Sequence, residues 1–194
     1  MSSLPITREK ALEVLKSWPQ IEADMNHYLE SEAVMRGLAI FLNEDIEYYG
    51  MLGLLHDVDW ALTKDNTKEH LTKAPEILKN IGFNQEFIDI VISHGNGFDC
   101  AGLKNEKRTK KIEFALASSE TITGLIYSYA LMREKKISDM EVKGLKKKFQ
   151  DKAFAAGCSR EIIREAEKLG ITLEKFFEIA IEGIKKIKED IGLS

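Results

Sequence analysis

One stretch constrains the fold more than any other. Met51-Leu52-Gly53-Leu54-Leu55 is apolar, and it carries His56 and Asp57 side by side toward what should be the interior. Buried ionisable groups are costly unless they are paired or bound to metal, so two adjacent ones need a partner. Neighbours on a helix point roughly 100° apart. Both side chains still reach one ion if it sits off the helix, between their directions.

The chain has four histidines, His27, His56, His70 and His94, all in its first half. Three fall on the apolar face of an expected helix. His27 shares a face with Val34, Leu38 and Phe41; His70 lines up with Ala74 and Ile77; His94 follows Phe87 and Val91. Histidine is the commonest metal ligand, and its neutral form suits a nearly dry site. A single histidine on such a face is more often a core residue bonded to a backbone carbonyl. All four together, with an aspartate beside one of them, point to a shared site.

Composition narrows the class. With 194 residues, 44% of them hydrophobic, the chain can bury a full core as one domain over 1–194, where two would each be small. Its formal charge of −4 offers no global attraction to nucleic acid or an anionic membrane, so stable binding to either is not expected. No apolar run approaches the ~20 residues that span a bilayer, and the N-terminal segment lacks the apolar core of a signal peptide. Cys100 and Cys158 are too few for a disulfide framework and are not spaced as a zinc motif. They are expected as reduced thiols of a cytoplasmic protein.

Period-3.6 patterning dominates, interrupted by only three prolines, and no alternating run of strand length stands out. The expected class is all-α. Thr7 caps a helix over Arg8–Trp18; a second runs from about Ile21 to Leu42; a third, Ile46–Leu55, delivers His56 and Asp57. Asp59–Asn66 reads as a loop. Thr67 then caps a helix carrying His70, although Pro75 inside it requires a bend or a later start. Asn84 caps Gln85–Ser93, which ends at His94, and a long helix spans about Ile112 to Met132. Beyond it, Ser138 with Glu141, Ser159 and Thr172 are start signals for helices over 138–191. These hold no histidine and are expected to pack on the core (about 20–132), covering the site or facing the second copy of a homodimer.

The ordered set resembles a known family, the HD superfamily of metal-dependent phosphohydrolases. Asn26 to Ala39, beginning Asn26-His27-Tyr28, is similar to the first-histidine helix of small bacterial HDIG-type proteins, and Gly53-Leu54-Leu55-His56-Asp57-Val58-Asp59-Trp60 to their central motif. His70 with Ala74-Pro75-Glu76, and Ser93-His94, resemble the extra histidines of the binuclear subgroup. The likeness implies an HD-type helical bundle with a C-terminal helical extension. It also implies hydrolysis of a nucleotide or other small phosphoester, by monoesterase or diesterase chemistry. One departure stands out. Where the family places its last ligand, an aspartate, Leu116-Ala117-Ser118-Ser119-Glu120 supplies Glu120. Its extra methylene displaces the carboxylate, while ligand distances are tolerated only within about ±0.2 Å.

The ligand set that the resemblance implies is His27, His56, Asp57 and Glu120 around one ion, with His70, His94 and a bridging Asp57 around a second. Mixed nitrogen and oxygen donors suit Fe, Mn, Co, Ni or Zn better than Mg. Asp57 and Asp59 are the candidate catalytic carboxylates. Asp59 either orients a ligand imidazole or caps the next element. The donor types equally permit oxygen chemistry at two irons, and a site spoiled by Glu120 would leave a binding module. The basic run Lys104 to Lys111 reads first as solvated surface and second as an attractor of anions. Trp60 and Phe98 could stack on a nucleobase, with core packing the safer assignment.

Overall fold

The structure, a computed structural model, describes residues 4–194; residues 1–3, the start of the segment read for a leader, lie outside the described residues. Helices α1 (Arg8–Lys16), α2 (Glu22–Leu42) and α3 (Ile46–Leu55) open the chain. The short α4 (Trp60–Thr63), α5 (Ala74–Asn80) and α6 (Gln85–Ser93) follow. The central α7 (Lys111–Met132) leads to α8 (Val142–Gln150), α9 (Arg160–Arg164) and α10 (Leu173–Lys185). The fold is all-α, with no strand among the described residues.

Local chemistry sets the ends. Thr7, Asp45, Asn84, Ser159 and Thr172 each accept a backbone N–H from the first turn of the helix they precede. Glu113 accepts from the backbone N–H groups of Thr109 and Lys110, fixing the start of α7. α2 stops at Asn43, which takes the left-handed conformation (φ 59°) that asparagine tolerates.

α2 is the hub, packing on α3, α7 and α10. Two glycines allow its closest approaches. A Cβ on Gly53 of α3 would lie 2.6 Å from the Ser31 carbonyl oxygen, and one on Gly183 of α10 would lie 2.8 Å from that of Ala33. Only hydrogen fits at either crossing, so α2 runs backbone-to-backbone against both neighbours. Arg36 reinforces the far side of α2, donating to Glu32 and, through both terminal nitrogens, to Glu47 at the start of α3. Buried side chains form one cluster reaching from Ala11 to Leu193, through α2, α3, α7 and α10.

Three local expectations are corrected. The helix capped by Thr67 is a single 3-10 turn, Thr67–Glu69, and α5 begins only at Ala74 with Pro75 in its first turn. Proline has no N–H to donate and is tolerated there, but not further in. His70 therefore sits in extended backbone (ψ 135°) rather than on a helix face. The segment after Asp59 contains α4 instead of being wholly a loop. Ser138 caps nothing: α8 starts at Val142 after Glu141, and the Ser138 hydroxyl accepts from Lys188 Nζ at 2.9 Å.

Candidate metal centre

α2, the C-terminal ends of α3 and α6, and the turn before α5 converge on one point. His27 comes from α2, and His56 and His94 are the residues that end α3 and α6. The Nε2 atoms meet in pairs, His27 with His56 at 3.0 Å and His70 with His94 at 3.3 Å. Asp57 lies between the pairs. Its Oδ1 is 3.2 Å from Nε2 of both His70 and His94 and 3.5 Å from that of His56, while Oδ2 is 3.8 Å from His27 Nε2. Two ligand groups result, His27/His56/Asp57 and Asp57/His70/His94, sharing the aspartate.

The opposite ring nitrogens fix the tautomers. His56 Nδ1 faces the Gly53 carbonyl oxygen at 2.8 Å and His94 Nδ1 that of Val91 at 2.7 Å; a carbonyl only accepts, so both Nδ1 atoms carry hydrogen. The Thr123 hydroxyl donates to the Glu120 carbonyl at 2.6 Å, which leaves its oxygen to accept from His27 Nδ1 at 2.9 Å. His70 Nδ1 stands 3.2 Å from Asp59 Oδ1. The Nε2 atoms of all four rings are thereby aimed at the same small volume, with the Nδ1 hydrogens of His27, His56 and His94 turned outward. Lone pairs 3.0 Å apart repel unless a cation lies between or beside them. The donor set fits divalent metal, with each imidazole oriented by a partner behind it.

The charge states agree. Burial lowers the His56 pKa to about 3 against the opposing pull of Asp57, so this imidazole is neutral. Burial also opposes the charge on Asp57, but His56, His70 and His94 outweigh it and hold the carboxyl well below its ordinary range. His70 is pushed the other way: despite burial, Asp57 and Asp59 raise it to about 10.

Asp59, fully buried, does both things expected of it by different means. Oδ1 lies by His70, and the carboxylate accepts backbone N–H bonds from Leu71 (3.2 Å), Lys73 (3.0 Å) and Ala74 (3.1 Å). It thus caps α5 across the turn, not α4, which it directly precedes without a side-chain bond. It stands behind the ligand shell, which makes it a positioning residue rather than a catalytic one. Asp59→Ala strands up to three amides at about 1–3 kcal/mol each where buried. Urea unfolding should show a loss of roughly 3 kcal/mol or more, and metal affinity should drop about 10- to 100-fold.

Glu120 departs from the expected ligand set. It borders the same cavity, but its carboxylate belongs to neither group, and Oε1 accepts from the adjacent Thr121 hydroxyl at 2.5 Å. Burial pushes its pKa up. Arg108 is not a free cation of the basic run either. It pairs with Glu165 and donates to the carbonyls of Ser93, His94 and Asn96, which fixes the chain after His94.

A cavity of about 400 Å³ opens onto Asp57, His70 and His94. Trp60 and Phe98 line it, so neither is simply core; Phe98 is 46% exposed and Trp60 meets His70 edge-on at 5.2 Å. Cys100, a free thiol, and Asp99 complete the far wall, and no lysine or arginine lines the cavity. Sequence reading gives Thr123 no role, although Thr123-Gly124 matches the Thr-Gly that follows the last ligand in the family the chain resembles. It also missed the carbonyls of Gly53 and Val91, each three residues before a histidine, which side-chain patterns do not show.

The family model of the HD domain matches residues 25–143, more than half the chain and all of both ligand groups. The chain belongs to the HD domain family. Searches of curated proteins and of solved structures gave no match. The HD match begins within α2 and ends as α8 begins, leaving α9 and α10 beyond it. HD proteins are in general metal-dependent phosphohydrolases, and both groups in this HD domain could hold a divalent ion. No helix among the described residues is long and apolar enough to cross a membrane.

Proposed function

We propose that the chain is a binuclear metal-dependent phosphohydrolase acting on a small phosphomonoester with a planar leaving group. The observation that carries the reading is the pairing of Nε2 lone pairs on either side of one shared carboxylate. His27, His56 and Asp57 hold one ion; Asp57, His70 and His94 hold the other. Bound there, two divalent ions lower the pKa of a water and neutralise the phosphoester oxygens. The chain's own residues orient the ligands: Thr123, the Gly53 and Val91 carbonyls and Asp59 keep the imidazoles in register.

The cavity selects the substrate. Its walls supply no cation, so a phosphate chain would find no protein partner beyond the ions, and Asp99 and Glu120 add like charge. Trp60 and Phe98 offer aromatic faces to a ring. These features favour a monophosphate, such as a nucleoside monophosphate, over a triphosphate. Elemental analysis of protein purified without chelator, followed by a panel of mono- and triphosphates, tests the reading. Close to two transition-metal equivalents and turnover confined to monoesters are expected; absence of metal and of turnover rejects it.

Glu120, outside both groups, favours a second reading in which the scaffold binds its ligand without turnover. Turnover by the metal-loaded wild type separates the two, and the metal content of Glu120→Gln reports whether this side chain is a ligand. If the carboxylate stays on Thr121, metal content remains that of the wild type; loss of one equivalent would show that it swings in as a ligand.

A further inference from the structure

The basic run has a place in the fold that the metal centre does not use. It curls around a second concavity of about 420 Å³, as large as the one at the metal centre. Arg108 on its wall is neutralised by Glu165. Lys104, Lys107 and Lys168 have no carboxylate partner among the described residues, and Glu106 is the one other acid on the lining. Lys168 reaches in from the 3-10 turn after α9, with its ammonium held 4.2 Å over the Phe114 ring. The positive potential is local, since the whole chain carries −4. A concave lining on which four cations face two carboxylates concentrates anions.

The two cavities share a wall. Gly95 and Phe98 face the metal centre, and Asn96 and Gly97, between them in sequence, face the lysines. The Arg108 guanidinium supports that wall through the carbonyls of His94, at 3.1 Å, and Asn96, at 2.8 Å. The geometry points to a second ligand site, formed by Lys104, Lys107 and Lys168, for a small phosphate-rich anion that the cation-free metal cavity does not favour. It stands apart from the hydrolase reading and does not need that reading to hold.

Calorimetric titration with inorganic tripolyphosphate tests it in wild-type protein and in an Asp57→Ala background that removes both competing ions. Each is compared with a Lys104→Ala/Lys107→Ala/Lys168→Ala version, whose exposed side chains can be removed without opening the core. Binding should persist in Asp57→Ala, weaken with added salt, and fall at least tenfold when the lysines are removed. ATP titrated alongside identifies the source: equal affinity means that the phosphate chain alone is read, and tighter binding means a nucleotide. Unchanged affinity without the lysines, no binding at all, or binding abolished by Asp57→Ala would overturn the proposal.

Discussion

An Asp57→Ala protein is expected to purify folded, with neither ion and no phosphoester turnover. Asp57 is the one residue common to both ligand groups. Its removal takes a donor from each and leaves the four imidazoles without the shared anion that draws a cation to either pair. His70→Ala touches only the second group and should leave about one equivalent behind, as expected of two ions held in separate half-shells. His56→Ala should lose the first ion and activity together. Metal analysis beside circular dichroism reads all three. An Asp57→Ala protein that keeps its metal, or a His56→Ala protein with full activity, would show that the metal lies elsewhere.

The second large effect is on stability and lies away from the site. Glu30 of α2 is 3% exposed, one carboxyl oxygen has no partner, and burial raises its pKa from 4.5 to about 8. The native protein therefore keeps a proton that the unfolded chain gives up near pH 4.5. Between these two values folding takes up a proton, so stability is greatest at the acidic end and declines as pH rises toward 8. The full span corresponds to a few kcal/mol, on the order of 1.4 kcal/mol per pH unit. Glu30→Gln removes this contribution. Thermal melts at pH 5 and pH 8 should show the wild type losing more stability than the variant, a gap of several degrees for a chain of this size. Parallel curves would mean that Glu30 is ionised and paired in the native state.

The sequence made most of the helical frame legible because each boundary is local chemistry. Asp45, Asn84, Ser159 and Thr172 cap where their side chains reach the first-turn amides, and α3 and α6 end at His56 and His94 as periodicity required. The convergence of His27, His56, Asp57, His70 and His94 was legible too, since polar groups in apolar runs have to meet something. What escaped depends on contacts distant along the chain. His70 looked helical because Ala74 and Ile77 follow it at helical spacing. Its extended backbone is fixed by Asp59, whose carboxylate draws in the amides of residues 71, 73 and 74. Glu120 is matched to the family's aspartate by its position along the chain, and its contact with Thr121 depends on a rotamer that no spacing encodes. Phe98 looked like core because aromatics usually are, yet it stands half open at the cavity mouth.

Gly53 contributes no atom to either ligand group, yet it sets their scale. With Gly53 against the Ser31 carbonyl, the separation of His27 from His56 is determined by main chain rather than by flexible side chains. That spacing rests on main-chain packing, so little conformational entropy is lost when an ion binds. Ionic radius is then selected by a gap whose width is written in a position the ion never touches. A family that keeps its ligands but varies the residue at this crossing could retune its metal preference without altering a single donor.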